Sequence, residues 1–223
     1  SHAKIRIIGD YDIDGVSSTF ILMKGLRRLG AQVDTYIPDR VKDGYGIHRQ
    51  LIEQAMEDQI DTIVTCDNGI AASEEIVQAK EDGMTVIVTD HHEIPYTDTE
   101  KGREWMIPPA DAVINPKQSD CAYPNKNLCG AAVAWKLIWA LYEKYKIPEE
   151  EILEFSEAAA IATVGDVMDL QGENRIIVKE GLKRLENTKN PGLRALIAAN
   201  GLEGGRITAY HVGFVLGPCI NAS

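Results

Sequence analysis

The sequence has no C-x-x-C pair. Its four cysteines, Cys66, Cys121, Cys129 and Cys219, stand too far apart to form a zinc site by local spacing. A disulfide framework is equally out of place, because 223 residues bury enough core to hold together without staples. Cys66 lies inside an apolar run and reads as a small core residue. No apolar run approaches the roughly 20 residues of a membrane span, and no signal-peptide pattern opens the sequence. A reducing cytoplasm is therefore the expected setting. A basic surplus is missing too: 23 Lys and Arg face 34 Asp and Glu, a net charge of −11. Domains that coat nucleic acid are usually basic. Any polyanionic substrate would be held locally, by bound cations, helix N-termini or a few placed Arg and Lys. Otherwise the acidity serves solubility alone.

What is present is an alternation of strand and helix. Runs at 4–9, 32–37, 61–66 and 85–89 are short, apolar and β-branched, and 112–114 suggests a fifth strand. Helical spacing falls at 17–29, 48–56 and 73–81, the last read as opening on a Ser73 cap with Glu74 and Glu75 in its first turn. The strands are continuous apolar runs, as in a sheet covered on both faces. The expected fold is α/β: a mainly parallel sheet of about five strands with helices on both faces, followed by a helical second half. That half reads as helices at 130–145, 149–163, 174–185, 192–200 and 208–216, and the polar stretch 96–109 reads as a loop or flap. The expected division is a parallel α/β core over 4–116 and a helical part of the same domain over 117–223.

In open parallel sheets, ligands bind beyond the carboxyl ends of the strands. Those ends carry Asp10, Asp12 and Asp14 after the first strand, Asp67 after the third, and Asp90-His91-His92 after the fourth. Asp166 would join from the helical half. A single Asp at a strand end is often only a helix N-cap. Five together cannot all stay ionised without positive compensation. Carboxylate with imidazole suits Mn²⁺, Zn²⁺ or iron, while Mg²⁺ favours oxygen alone. Two divalent ions about 3.5–4 Å apart, bridged by a carboxylate, form a phosphoryl-transfer centre.

Rival motifs can be tested on the letters. Asp10-x-Asp12-x-Asp14-Gly15 opens like an EF-hand loop, but Ile21 stands where that loop needs Glu, and a strand precedes it. Neither G-x-G-x-x-G nor a P-loop lysine pattern occurs. The chief rival is the haloacid-dehalogenase-like phosphatases, which would use Asp10-Tyr11-Asp12 and Gly165-Asp166 with Asp169, but want Thr or Val where Asp14 stands and would leave Asp90-His91-His92 idle.

Asp10-Tyr11-Asp12-Ile13-Asp14-Gly15, Cys66-Asp67-Asn68-Gly69 and Asp90-His91-His92 resemble three motifs of the DHH phosphoesterase superfamily. Within it, the segments 36–47, 114–117, 128–137, 163–175 and 217–223 are similar to RecJ-type single-strand-specific exonucleases. The resemblance implies a two-metal phosphodiesterase, using Mn²⁺ or else Mg²⁺, that cuts single-stranded DNA from the 5′ end in repair and recombination. It implies that Asp12 and Asp67, with Asp10, hold one ion. Asp14, Asp67, His91 and Asp166 would hold the other, with Asp67 bridging. His92 would lie near the scissile phosphate, and Asp90 would orient the cluster by hydrogen bonds. Family members continue into a DHH-associated domain and an oligonucleotide-binding domain. This sequence is therefore expected to be an isolated catalytic domain ending at a connecting helix. A single-strand-binding protein or helicase would be a partner of the longer enzyme. The alternatives are a DHH enzyme acting on short oligonucleotides or cyclic dinucleotides, and an inactive scaffold.

Three further features are sensible as phosphate grips. Gly130 and Ala131 open a helix whose N–H groups would approach a phosphate, unless their small size serves helix-sheet packing. Arg40 would contact the nucleic-acid backbone and Tyr45 would stack on a base, unless both belong to a plain surface loop. Asn174-Arg175 would bind phosphate or cap a helix. Trp135 and Trp139, four apart, read as core.

Overall fold

The computed structural model of the protein describes residues 3–40, 46–100 and 102–222. The chain alternates β1 (Lys4–Ile8), α1 (Ile13–Arg28), β2 (Gln32–Tyr36), α2 (Arg49–Glu57), β3 (Thr62–Cys66), α3 (Ser73–Glu81) and β4 (Thr85–Thr89). A hairpin of β5 (Tyr96–Thr99) and β6 (Gly102–Trp105) follows, then β7 (Ala112–Ile114). The main sheet is parallel throughout, in the order β2-β1-β3-β4-β7.

Each central strand buries both faces, so alternate residues enter two different cores. Ile7, Val64 and Cys66 face one. Ile8, Ile63, Val86 and Val88 face the other, against Leu51, Ile52 and Ala55 of α2 and Ile76 and Ala79 of α3. That double burial is why the strands read as continuous apolar runs. The register aligns their carboxyl ends: Ile8 pairs with Tyr36 and Thr65, Cys66 with Thr89, and Thr89 with Ile114. The connections from β1 and β3 leave in opposite directions, which opens a crevice between those strands.

The second half comprises α4 (Gly130–Tyr145), α5 (Glu149–Leu153), α6 (Ser156–Gly165), α7 (Gly172–Leu185), α8 (Pro191–Ala199) and α9 (Ala209–His211). A π-helical segment, Val212–Leu216, then runs into α10 (Gly217–Asn221). Ala131, Ala134 and Ile138 of α4, with Ala159 and Ala162 of α6, share the first core with Ile21 and Leu22 of α1. A third core joins Ile13 and Ile161 to Leu185, Ile197, Ile207, Val212 and Leu216. Among the described residues no helix is long and apolar enough to cross a membrane.

Several local expectations change. Helix α1 starts at Ile13 rather than at residue 17, because the Asp12 carboxylate accepts from the N–H groups of Asp14 and Gly15, at 2.9 Å each, and caps it. Ser73 is the first residue of α3 and not its cap; Ala72 holds that position without a side-chain bond. The expected helix 149–163 is two helices joined at Glu154 and the buried Phe155. The final helix widens to π geometry just before Pro218, which has no N–H to donate. The expected loop 96–109 contains the β5–β6 hairpin, whose strand residues are all exposed. Tyr96 and Trp105 pair across it with ring centroids 5.4 Å apart, and the Arg103 guanidinium covers Tyr96 at 3.8 Å. Cross-strand aromatic contact replaces the buried face that strand periodicity would have revealed. Trp135 is buried, but Trp139 is half-buried and donates its indole N–H to Glu143.

Candidate metal centre

The loops after β1, β3 and β4 meet at the crevice between β1 and β3. Asp10, Asp14, Asp67, Asp90 and His91 are buried there, while Asp12, Asp166 and His92 form a partly open rim. Gly15 makes the first turn of α1 possible, since a Cβ on it would lie 2.4 Å from the Asp10 carbonyl oxygen. Asp67 takes a left-handed backbone conformation, φ 61°, which Asp tolerates better than most residues and which turns the chain at the strand end. Asn68 then ties the two strand ends together by donating to the carbonyls of Ile8 (3.2 Å) and Cys66 (3.0 Å). Asp166 arrives from the end of α6. Beside it Val167 also has positive φ, 57°, strained for a β-branched residue.

Three sets of donor atoms each lie within 4.8 Å of one another: Asp10, Asp12 and Asp67; Asp14, His91 and Asp166; and Asp67, His91 and His92. His91 Nε2 is 3.0 Å from Asp67 Oδ1, 3.5 Å from Asp14 Oδ2 and 3.7 Å from Asp166 Oδ2. Six residues foreseen as ligands, Asp10, Asp12, Asp14, Asp67, His91 and Asp166, thus converge from four separate segments. Asp90 has a different environment. Its Oδ1 accepts from the N–H of His91 (2.7 Å) and of His92 (3.1 Å) and lies 2.7 Å from His92 Nδ1; its Oδ2 accepts from the Ile70 N–H at 2.9 Å.

The electrostatics follow from this division. Burial pushes the Asp67 carboxyl up to about 9, helped by the charges of Asp12, Asp90, Asp166 and Asp10. Burial also raises Asp10, to about 6, with Asp12 adding to it. Asp14 and Asp166 rise for the same first reason, and His91 partly offsets both. Burial alone would raise Asp90, but bonds from His92 and backbone N–H groups outweigh it and hold the carboxyl below its ordinary value. The Asp90 bond in turn raises His92, against the opposing effect of its burial.

The N-terminus of α4 compensates Asp14. Gly130 N–H donates to Asp14 Oδ2 at 2.6 Å and Ala131 N–H to Oδ1 at 2.7 Å. The phosphate grip expected of these two backbone groups is therefore corrected: both donors already serve a carboxylate. Gly130 has a second function that the letters did not reveal. A Cβ there would lie 2.8 Å from Asp67 Oδ1, so glycine is what lets the helix end approach the cluster. Asn221 is a further residue that no local pattern marks. Its Oδ1 accepts the N–H of Ile13 at 2.8 Å, pinning the turn that carries Asp12 and Asp14 to the far end of the chain. The resemblance covers its segment, but nothing local in the letters points across 208 residues.

The remaining expected contacts divide. Arg40 is exposed, with its guanidinium 4.5 Å from the ring centroid of Tyr11, between Asp10 and Asp12. Tyr45 lies outside the described residues. Arg175 is exposed at the start of α7. Asn174 is buried and caps nothing: its amide donates to the carbonyls of Asn127 (2.7 Å) and Asp169 (3.0 Å), fastening two loops.

The residues present fit divalent metal. Buried polar atoms require partners, yet Asp10 Oδ1 and both ring nitrogens of His91 have no hydrogen bond among the described residues. Mixed carboxylate and imidazole donors suit Mn²⁺, and added positive charge would relieve the raised carboxyls.

The sequence profile described as DHH family, N-terminal domain, matches residues 4–165. The chain belongs to the DHH family. This DHH domain is 44% identical over 219 residues to the single-stranded-DNA-specific exonuclease RecJ of Bacillus subtilis (strain 168), covering 98% of the chain and 26% of that relative. It resembles the crystal structure of an exonuclease RecJ bound to manganese, with TM-score 0.86 and 39% identity, over 99% of this chain and 53% of that one. A Thermus thermophilus RecJ in complex with Mg²⁺ matches with TM-score 0.67 and 33% identity, over 99% of this chain and 26% of that one. The DHH domain thus spans about a quarter of the B. subtilis relative's length.

Proposed function

We propose that this DHH domain is the catalytic part of a RecJ-type exonuclease. Its reaction is hydrolysis of single-stranded DNA from the 5′ end, in DNA repair and recombination. The observation that carries the reading is the convergence of Asp10, Asp12 and Asp67 with Asp14, His91 and Asp166 as two adjacent donor sets. Likeness to relatives named as single-stranded-DNA-specific exonucleases supplies the substrate class. Likeness to manganese- and magnesium-bound RecJ structures supports Mn²⁺, with Mg²⁺ as a substitute.

In this reading Asp10, Asp12 and Asp67 would hold one cation, and Asp14, Asp67, His91 and Asp166 would hold the other. A pair of divalent ions supplies Lewis acidity toward the phosphate and lowers the pKa of water. The chain's own groups orient the rest. The α4 N-terminus fixes Asp14, and Gly130 leaves room for Asp67. Asp90 accepts from His92 and turns the other imidazole nitrogen toward the open rim, where the cationic ring donates to a phosphate oxygen. Water adds to phosphorus and gives up a proton to solvent, the bond from phosphorus to the 3′ oxygen of the 5′-terminal nucleotide breaks, and that oxygen takes up a proton as the mononucleotide leaves. Arg40 and Arg175 contact the backbone of the substrate.

Residues 4–116 and 117–223 form one catalytic domain, and the extra length of the relatives corresponds to the DHH-associated and oligonucleotide-binding domains. Partners of the longer enzyme are a single-strand-binding protein or a helicase. The four cysteines are unpaired, which suits the cytoplasm. The test is incubation with 5′-labelled single-stranded DNA and Mn²⁺. Mononucleotides are expected, and Asp67→Ala should leave less than about a tenth of the rate, since it disturbs both donor sets. Absence of metal-dependent cleavage by the wild type, with metal bound, would remove the nuclease reading.

A further inference from the structure

Charge is unevenly placed along this chain. Residues 172–222 contain seven Lys and Arg against four Glu, although the whole sequence carries −11. Many cations elsewhere are paired: Arg6 with Asp34 and Asp58, Lys80 with Asp111, Lys117 with Glu93, and Lys136 with Glu173. Arg175, Lys179 and Lys183 differ. They recur every fourth residue, so they form one row on α7 about 12 Å long, and all three are exposed. Lys179 and Lys183 border a cavity of about 630 Å³, closed on the other side by Arg206 and Thr208. Glu186 is the only carboxylate among its described lining residues, and none of the three cations forms an ion pair among the described residues.

An aromatic pair adjoins the Thr208 edge. Tyr210 and Phe214 are 65% and 72% exposed, with ring centroids 5.0 Å apart. Their helix packs against α6 at Val164, where a Cβ on Gly213 would lie 3.8 Å from Val164 Cγ1, two residues before Asp166. Helix α7 begins six residues after Asp166. Both parts of this surface are therefore anchored to the segment that delivers a carboxylate to the metal centre.

Cations spaced along a row suit successive phosphates, and exposed rings suit unpaired bases. An acidic peptide would engage the cations and leave the rings unused. We propose that the Arg175–Lys179–Lys183 row, the cavity it borders and the Tyr210–Phe214 pair form a binding track for single-stranded nucleic acid outside the metal centre. The identity of the ligand as substrate rests on the nuclease reading; binding along the track does not require cleavage.

The test is titration of the whole chain with a fluorescent oligo(dT) of about 20 nucleotides, in EDTA, from roughly 50 to 200 mM salt. Each phosphate contact to a single strand contributes about −0.7 to the slope of log affinity against log salt. The combined variant Lys179→Ala, Lys183→Ala, Arg206→Ala should flatten that slope by about 2 and weaken binding at least tenfold at low salt. Tyr210→Ala with Phe214→Ala should weaken binding and leave the slope unchanged. Cleavage of a dinucleotide should be unaffected by the triple variant. A slope and affinity within twofold of wild type would overturn the track. So would a polyglutamate that binds as tightly as the DNA and loses as much in the variant. Track-dependent binding without cleavage would support the track and strike the nuclease reading alone; cleavage with unaltered binding would strike the track alone.

Discussion

Asp67→Asn offers the sharpest test of how the cluster is held. In the metal-free protein, burial and neighbouring carboxylates raise Asp67 to about 9, against about 3.9 in an unfolded chain. A raised carboxyl contributes stability that is complete below about pH 4 and is lost as pH climbs through the folded value. The loss has an upper limit of about 1.4 kcal/mol per pH unit in that window. Asparagine carries no charge at any pH, and its amide can donate to the carboxylates that oppose Asp67. The variant should therefore be the more stable protein in EDTA, and its advantage should grow with pH. Between roughly pH 5.5 and 8 the advantage grows by up to about 3.5 kcal/mol, or about 7–14 °C in melting temperature for a chain of this size. Thermal unfolding at several pH values measures it. Saturating Mn²⁺ should reverse the order, because each ion that binds the folded wild type at a thousand times its Kd adds about 4.1 kcal/mol. If the Asp67→Asn variant melts below wild type at pH 8 in EDTA, the buried carboxylates are not in electrostatic conflict, and the reasoning falls.

Two further substitutions probe the supports. Gly130→Ala puts a Cβ 2.8 Å from Asp67 Oδ1; Mn²⁺ affinity by calorimetry should drop at least tenfold, while metal-free stability falls by only about 1–3 kcal/mol. Unchanged affinity would mean that Asp67 has room to retreat. Asp90→Asn removes the charge that raises His92, so the His92 titration followed by NMR should move to lower pH. An unmoved midpoint would show that Asp90 does not govern that imidazole.

The supports explain why so many acids tolerate burial in one crevice. Asp90 is satisfied by backbone and imidazole donors, Asp14 by a helix N-terminus, and Asp12 partly by capping α1. Asp12 thus combines the ordinary cap expected of a lone Asp with membership of a donor set. Asp10 and His91 keep buried ligand atoms without hydrogen bonds among the described residues. Such residues are the ones a cation would complete.

The alternation of apolar runs with helical spacing determined the parallel sheet, and the positions of Asp10, Asp67 and Asp90 at strand ends determined which edge would carry the acids. Both are periodic, local properties that survive in a list of letters. Only the tertiary structure decided that the N–H groups of Gly130 and Ala131 meet Asp14, over a hundred residues away in the chain, and that Asn221 closes on Ile13. It also made a hairpin of a stretch that reads as loop, through a pairing of Tyr96 with Trp105 that leaves no buried face to mark it. Those contacts depend on how distant segments are packed, and packing of that kind has no period along the chain from which to read it.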